Sequence, residues 1–386
     1  MNTEKIKGRF RRKHLLVVAT AILFFIGVTI FLFLYHKDEH RFTKMTNTLF
    51  RDEMSQNTLN MHYTLAYPEN FGIYDYNAVL PAYSAESKQK GQEQTKEVLE
   101  TLSKINPNRL PDNQQYTYRL LKNALETALT MSGYPYYQEP LSPASGMQTQ
   151  LPILLAEYSF RNKKDVEDYL ELLNQTDEYF DSLVVYEQEK AKAGLFMNSL
   201  SLEKVLTQCE TILTKESLLA GDHFLQTTFV ERLEDLYKQE TITREEAKYY
   251  IAQNNRLLST VLMPAYEALY DGLFVLEDET IALEGLGSKP EGAAYYELLL
   301  RSETGSNRDI AQIKKMLTTQ LETEFGALHQ LLTDHQDLIL SDYSYELDRA
   351  FPYQSPKQML PDLQERMAQD FPPLVNAKPQ VYVKSV

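Results

Sequence analysis

Apolar residues recur at spacings of three and four along most of this 386-residue chain. Because an α-helix has 3.6 residues per turn, residues at these spacings lie on one side of a helix and can pack together. Strands would instead show alternation with a period of two. The period therefore predicts an all-α protein, an extended multi-helix domain.

Four segments show the helical period most clearly. The first, Asn113–Met131, follows Pro111, a residue typical of a helix start. The third begins with Thr243 and Glu246, which have the spacing of a capping box, in which hydroxyl and carboxylate satisfy free amides of the first turn. The residues predicted to face inward are Tyr116, Leu120, Leu121, Ala124, Leu125, Ala128 and Leu129 in the first segment, Val166, Tyr169, Leu170 and Leu173 in the second, Leu257, Leu258, Val261, Leu262, Ala265, Tyr266 and Leu269 in the third, and Ile310, Ile313, Leu317, Leu321, Phe325, Leu328 and Leu332 in the fourth.

Residues that favour turns interrupt the helical pattern at Pro135–Gly146, Leu283–Gly292 and Pro352–Pro361. None of these stretches is long enough for an interdomain linker, so we predict one domain. The final stretch, Pro379–Val386, alternates with a period of two and is predicted to form a short C-terminal strand. A lone strand needs a neighbour to satisfy its backbone amides and carbonyls.

The run Leu15–Leu34 contains no charged residue. At about 1.5 Å per residue it measures roughly 30 Å, the thickness of the hydrocarbon core of a bilayer. Six basic residues precede it, and positive charge stays on the cytoplasmic side. Neither a small-x-small cleavage site nor a lipid-accepting cysteine follows the run. We therefore expect a retained transmembrane helix whose partner is the lipid bilayer.

These features predict four regions. They are a cytoplasmic basic tail at 1–14, a transmembrane anchor at 15–35, a juxtamembrane helical stalk at 36–60 and a helical extracytoplasmic domain at 61–386. The expected localisation is the cell membrane, with a single span. The whole chain carries a net charge of −15 despite its basic tail, and such an acidic surface excludes nucleic acid as a partner.

One short motif resembles a metal site. His36, Glu39 and His40 match the H-x-x-E-H pattern of inverted zinc peptidases, in which two imidazoles bind zinc and the carboxylate is the general base. The motif directly follows the predicted anchor, where no deep dry cleft can surround a metal, so we interpret it as a charged juxtamembrane cap. His62 and His223 are isolated in the sequence and are interpreted as surface or core histidines.

Two further motifs are incomplete. Ser201 and Lys204 have the S-x-x-K spacing of serine acyltransferases, but the partner motifs S-D-N and K-T-G are absent, and Ser201 is interpreted as a helix cap. Gly285 and Gly287 lack the third glycine of a dinucleotide-binding loop. The residues by themselves therefore identify no catalytic and no metal-binding site.

Three stretches, taken in order, resemble a known family. Ser142–Pro152 reads SPASGMQTQLP and is followed by Phe160–Asp165, which reads FRNKKD. Later, Gly285–Gly292 leads into AYYELLLR at 294–301. This order resembles the N-terminal half of the bacterial family called domain of unknown function 885, and the resemblance covers about residues 47–386.

The resemblance implies an all-helical fold similar to zinc metallopeptidases, whose H-E-x-x-H helix lies in the C-terminal half. No H-E-x-x-H occurs in this chain. We therefore expect the chain to lack the catalytic half and to be inactive alone. The chain should hold no cofactor, and zinc is expected only if a second chain supplies the other half. The matching residues, expected either to line a substrate channel or to hold helices together, are Gln148, Gln150, Gly292, Tyr295 and Tyr296.

Three functions follow as expectations. The first is a membrane-anchored extracytoplasmic domain, related to metallopeptidases, whose partner is a peptide substrate. The second is a non-catalytic binding or scaffold module of the cell envelope. The third is one half of a split peptidase, completed by a partner chain that supplies the C-terminal half.

Overall fold

The computed structural model describes residues 37–335, 353 and 355–371. Helices dominate these residues, none of which forms a strand, and the all-α prediction is confirmed. One isolated parallel bridge joins Asn198 to Ile281. The predicted strand at 379–386 and the predicted transmembrane helix at 15–35 lie outside the described residues.

We number the helices in chain order. Their bounds are 37–56 (α1), Thr58–Thr64 (α2), Ala85–Ser103 (α3), Asp112–Met131 (α4), Met147–Glu157 (α5), Lys163–Asn174 (α6), Thr176–Lys192 (α7), Ser199–Thr211 (α8), Lys215–Ala220 (α9), Phe224–Lys238 (α10), Arg244–Leu257 (α11), Met263–Phe274 (α12), Gly292–Thr304 (α13), Ile310–Asp334 (α14) and Pro356–Asp370 (α15).

The chain divides into two compact units, Met1–Asn307 and Arg308–Val386, where the sequence predicted one domain over 61–386. The division follows α13, which ends at Thr304 and is followed by Gly305. This glycine adopts the left-handed conformation, with φ at 62°, that stops a helix without a steric penalty from a side chain. The sequence offers no Pro-rich or Gly-rich linker here, so the boundary could not be read from composition.

Polar caps begin many of the helices. The capping box predicted for α11 is confirmed, because the Thr243 side chain accepts from the Glu246 amide and the Glu246 side chain accepts from the Thr243 amide. A second capping box, formed by Asn162 and Asp165, begins α6. The interpretation of Ser201 as a cap is wrong: Asn198 caps α8 and accepts a hydrogen bond from the Ser201 amide at 3.0 Å.

The main core of the first unit lies among α5 to α8 and α10 to α12. Tyr169, Phe180 and Phe229 are each no more than 1% exposed at its centre. The stripe predicted for α6 is confirmed, since Val166, Tyr169 and Leu173 are buried together. The third predicted segment also packs inward, although a π-helical turn at Leu258–Leu262 separates α11 from α12.

The stripe predicted for α4 is partly wrong. Tyr116 and Leu120 are 59% and 53% exposed, whereas Tyr118 and Thr127 are buried. The reason is that α4 packs against α3 and also against α13, so the buried surface is wider than one stripe and turned away from its predicted centre. Periodicity identifies an apolar face but does not say how many neighbours will cover the helix.

Residues 37–60, most of the predicted stalk, belong to the first unit and pack within it. The α1 side chain Phe42 is 2% exposed and joins a small core cluster with Leu102, Ile105 and Tyr118. The Phe42 and Tyr118 rings lie 6.0 Å apart. This apolar contact holds α1 beside α3 and α4.

The inward-facing stripe predicted for α14, in the second unit, is wrong. No residue of α14 is buried, and Leu317, Leu321 and Phe325 are 59%, 57% and 62% exposed. The helix itself forms as expected, because Asp309 and Gln312 make a capping box at its start. The predicted break at Pro352–Pro361 instead overlaps α15, in which Pro356 occupies the first turn and Pro361 lies inside the helix.

Candidate functional site

Two adjoining cavities of about 720 and 650 Å³ open beside α3, α7 and the loop that follows α4. They share Lys88, Gln92, Pro135, Tyr136 and Tyr186 in their walls, so they form one continuous depression. We call this depression the tyrosine cleft and define it by Tyr83, Lys88, Tyr134, Tyr136, Tyr186 and Tyr295.

The position of Tyr83 is set by two polar side chains of neighbouring helices. The Tyr83 amide donates to Ser182 Oγ at 2.9 Å. Just before it, the Leu80 amide donates to Gln175 Oε1, and Gln175 Nε2 donates to the Ala78 carbonyl, both at 2.9 Å. Together with the bond that the Thr58 amide donates to the Val79 carbonyl at 3.2 Å, these bonds fix the extended segment before α3. They hold the Tyr83 ring 5.6 Å from the ring of Tyr186.

Tyr136 occupies a strained backbone conformation. Its φ is 70°, in the left-handed region that costs an ordinary L residue roughly 1–2 kcal/mol. This conformation places the Tyr136 ring 5.6 Å from the ring of Tyr186, which the Tyr83 ring approaches at the same distance. Such strain persists at positions where the surrounding structure requires it, and it concentrates at functional sites.

Lys88 lies between two of these rings. Its Nζ is 3.7 Å from the centroid of the Tyr186 ring and 5.4 Å from that of Tyr136. A cation over an aromatic face is attracted by the ring quadrupole. Burial lowers the pKa of Lys88, and the nearby Glu187 carboxylate partly offsets this effect. The cleft therefore offers a positive group among flat, partly polar surfaces.

A buried ion pair lies under the cleft floor. Glu187 and Lys190 are 0% and 1% exposed, and their charged atoms are 3.8 Å apart. Burial raises the pKa of Glu187 and lowers that of Lys190, because both charged forms lose their hydration. Lys190 Nζ and the Tyr186 hydroxyl donate to the same carbonyl, Gln138 O, at 3.2 and 3.1 Å. These bonds fix the loop that carries Tyr136 against α7.

The far end of the cleft contains Tyr295, a residue predicted to contact substrate. Its ring lies 4.3 Å from that of Tyr137 and 5.7 Å from that of Tyr134. Gly292, also predicted, begins the helix that carries Tyr295. A Cβ at Gly292 would overlap the carbonyl oxygen of Leu286, so only glycine fits this approach. Gly292 therefore positions Tyr295.

The other predicted residues lie elsewhere. Gln148 is 0% exposed, and its Nε2 donates to Ser142 O at 2.7 Å and to Gln208 Oε1 at 2.8 Å. Gln148 therefore holds a loop against α8. Of the two roles expected for the matching residues, this contact corresponds to holding helices together. Gln150 is half-buried on α5, and Tyr296 is 41% exposed on α13; neither lines the two cavities.

A buried polar cluster escaped the sequence analysis. His62 Nε2 lies 3.2 Å from the Tyr76 hydroxyl and 3.7 Å from Asp165 Oδ1, and its ring stacks on Tyr158 at 4.2 Å. Burial lowers the pKa of His62 to about 3, assisted by the positive charges of Arg161 and Lys164. The interpretation of His62 as a core histidine fits these contacts.

Zinc, implied by the resemblance, needs three convergent protein ligands. Throughout 37–335 and 355–371, no group of three or more His, Cys, Asp and Glu residues is arranged to hold a metal. His62 and Asp165 approach each other without a third such ligand. In the motif at the predicted juxtamembrane position, His40 is exposed and His36 lies outside the described residues. Within the described ranges, the residues therefore do not fit a zinc site.

The sequence analysis missed Tyr83, Lys88, Tyr136 and Tyr186. One signal was available: the chain contains 26 tyrosines, and Tyr136 and Tyr137 both lie in the predicted break at Pro135–Gly146. Aromatic side chains in a loop are more often exposed for binding than those on a helical stripe. Their partners on α3 and α7 carried no such signal.

Fold and site define a class of protein: an all-helical domain with a tyrosine-walled cleft. The model of the family "Bacterial protein of unknown function (DUF885)" matches residues 68–377, and the chain belongs to this family. The family resemblance stated from the sequence is thus confirmed. The further likeness to zinc peptidases stays a prediction.

A solved structure with the same fold is similar to this chain. It is described as "the putative lipoprotein from Colwellia psychrerythraea", with a TM-score of 0.60 and 17% sequence identity. The match covers 78% of this chain and 51% of that one, so this chain spans about half the length of the solved protein. At this identity the likeness shows the fold alone. No curated protein matched the chain.

The predicted localisation, a single-pass protein of the cell membrane, is corrected. No helix in the part of the chain that the structure describes is long and apolar enough to cross a membrane. The solved protein with this fold is described as a lipoprotein rather than as a single-pass membrane protein. The prediction rested on the apolar run and on the basic residues before it, and the predicted anchor at 15–35 lies outside the described residues.

Proposed function

We propose that this chain is a non-catalytic binding domain that holds a peptide in the tyrosine cleft. The observation that supports this function is the arrangement of Tyr83, Tyr136 and Tyr186 around Lys88, with ring centroids 5.6 Å apart along the wall. The left-handed backbone conformation of Tyr136 also supports this function. It costs conformational free energy, and such strain is concentrated at functional sites.

Peptide chemistry suits this surface. Tyrosine presents a flat apolar ring with a polar tip and loses little side-chain entropy on binding, which is why it is common at recognition sites. Extended peptides dock well into grooves lined by aromatic rings. Lys88, Glu93, Lys96 and Glu189 place both signs of charge around the cleft, matching the mixed polarity of a peptide chain.

Binding can be measured from the tryptophan fluorescence of the peptide ligand. The chain has no tryptophan, so a library of tryptophan-containing peptides can be titrated with the full chain and only the peptide fluorescence followed. We expect Tyr136→Ala and Tyr83→Ala to weaken binding at least about tenfold, as for central aromatic contacts. Tyr249→Ala is the matched control, because this ring is 61% exposed on α11, away from the cleft.

Two outcomes would reject the proposed site. One is that no member of a diverse peptide library binds the full chain. The other is that Tyr249→Ala weakens binding as much as the cleft substitutions do. The expected result is binding that weakens at least about tenfold in Tyr136→Ala and does not change in Tyr249→Ala.

A second candidate function is one half of a peptidase completed by another chain. The observation that favours it is that this chain spans about half the length of the solved protein with the same fold. In either case the full chain alone should leave a bound peptide intact when zinc is added, because the sequence contains no H-E-x-x-H. Chelator-sensitive cleavage by the purified chain alone would reject the non-catalytic assignment.

A further inference from the structure

Lys88 brings a positive charge to the wall of the tyrosine cleft without a carboxylate beside it. Its side chain is half-buried, and its Nζ lies 3.7 Å from the centroid of the Tyr186 ring. Among the residues that the structure describes, Lys88 forms no hydrogen bond and no ion pair. An ammonium that loses part of its hydration without gaining an anionic partner is destabilised, and burial accordingly lowers the pKa of Lys88. An anion bound beside Lys88 would remove this cost.

Several carboxylates near the cleft are matched to other cations. Glu187, under the cleft floor, lies 3.8 Å from Lys190, and both side chains are buried. Burial raises the pKa of Glu187 to about 7, so its carboxylate carries only part of a negative charge near neutral pH. In the cleft wall, Glu189 Oε1 accepts from Lys192 Nζ at 2.7 Å. The positive charge of Lys88 therefore stays uncompensated.

The other charged residues of the cavity walls face water. Glu53, Glu93 and Lys96 line the two cavities, and all three are exposed. Water and salt screen charges at such positions. The half-buried charge of Lys88 is screened less, so it contributes most to the potential that a ligand meets between the rings.

The tyrosine rings provide apolar surface beside this charge. The rings of Tyr83 and Tyr136 each lie 5.6 Å from the ring of Tyr186, over which the Lys88 ammonium sits. A carboxylate that reaches Lys88 leaves bulk water, and a hydrogen bond between two charged groups is about twice as strong as one between neutral groups. The side chain next to that carboxylate would meet an aromatic face, which favours an apolar or aromatic residue.

We propose that the tyrosine cleft selects peptides that carry a carboxylate beside an apolar or aromatic side chain, and that Lys88 binds this carboxylate. The inference rests on the peptide-binding function proposed above. The carboxylate belongs either to an Asp or Glu side chain or to the C-terminus of the peptide, because both present the same acceptor oxygens to an ammonium.

Three tryptophan-containing peptides of one parent sequence, titrated with the full chain, test the selection. The first has an internal Glu and a C-terminal amide, the second has Gln at that position and a free C-terminus, and the third has Gln and an amide. We expect the first or the second to bind at least about tenfold more tightly than the third, and the tighter of the two identifies the source of the carboxylate. The net charge of −15 opposes acidic peptides, so a preference for them must come from the cleft.

The role of Lys88 is tested by the ratio of the affinities for the carboxylate peptide and the neutral peptide, measured within each variant. Lys88→Gln should reduce this ratio from about ten to about one, and Lys88→Glu should reverse the preference. Lys90→Gln is the matched control and should keep the ratio of the wild type, because it removes the same charge from an exposed position of α3 that lines neither cavity.

The outcomes separate this inference from the proposed function. Equal binding of all three peptides by the wild type, weakened in Tyr136→Ala, would overturn the selection of carboxylates and leave the peptide-binding function intact. A preference that survives in Lys88→Gln would overturn the role of Lys88. Absence of binding by every peptide would reject the peptide-binding function, and this inference with it.

Discussion

Individual buried polar residues secure the loops of the first unit. Gln175 and Ser182 hold the segment before α3, and the Glu187–Lys190 pair anchors the loop after α4 through Gln138. Moving a charged group out of water costs free energy. Buried groups of this kind therefore contribute more to a unique arrangement of the loops than to the stability of the fold. The loops that they fix are the ones that carry Tyr83 and Tyr136 into the cleft.

His62 should make stability depend on pH. Its folded pKa is about 3, below the 6.5 of an exposed histidine, so the unfolded chain takes up the proton first as pH falls. The stabilising contribution is complete above about pH 6.5 and is lost progressively toward pH 3, by at most about 1.4 kcal/mol per pH unit. Urea unfolding of His62→Gln at several pH values should show a shallower dependence than the wild type.

The matched control for His62 is His40→Gln, since His40 is exposed on α1. This variant should keep the pH dependence of the wild type. The buried His223, whose pKa burial also lowers, contributes equally to all three proteins and does not affect the comparison. Equal slopes in wild type and His62→Gln would show that the stacked, buried imidazole is not the group that titrates.

Tyr136 should show opposite effects on stability and on binding. Asparagine tolerates the left-handed conformation better than tyrosine does, so Tyr136→Asn relieves strain of roughly 1 kcal/mol and offsets the loss of a half-buried ring. We expect its free energy of unfolding to stay within about 0.5 kcal/mol of the wild type or to rise, while peptide binding weakens.

The matched substitution is Tyr134→Asn in the same loop. Tyr134 packs on Tyr295 at 5.7 Å and has no positive φ, so this change loses a ring contact without relieving strain. It should lower the free energy of unfolding by about 1 kcal/mol or more. Equal destabilisation by the two substitutions would mean that the conformation of Tyr136 stores no strain.

Among the elements, α13 depends on one glycine. Gly292→Ala should destabilise the protein by at least about 2 kcal/mol, because the new methyl group would overlap the Leu286 carbonyl oxygen, which belongs to the backbone and cannot rotate away. Gly287→Ala is the control in the same loop, since nothing lies within 4 Å of a Cβ there. Chemical unfolding measures the free energy of unfolding of both variants. Similar free energies for Gly292→Ala and Gly287→Ala would contradict the close approach of Gly292 to the Leu286 carbonyl.

Across the whole molecule, the two units depend on the sequence in different ways. In the first unit the stripes of α6 and of α11 and α12 meet in one core, so an amphipathic pattern correctly indicated burial. In the second unit α14 has an equally clear pattern, yet its stripe is exposed. Periodicity reports that a face can be buried, whereas the presence of a covering element is a property of the assembled protein.

The sequence alone determined the helical class, the capping box at Thr243 and the order of motifs that indicated the family. Each of these depends on residues a few positions apart, whose geometry is set by local hydrogen bonds and by the helical turn. The family motifs led to Gly292 and Tyr295, which the structure places at the cleft, but also to Gln148, which it places in a packing contact.

Only the tertiary structure decided that Tyr83, Tyr136, Tyr186 and Tyr295 form one cleft. These residues come from an extended segment, a loop and two helices that are far apart in the sequence, and their approach depends on how α3, α7 and α13 pack. The same holds for the buried state of His62, Glu187 and Lys190. Burial and long-range contact arise from the sum of many weak packing interactions, which no short stretch of residues contains.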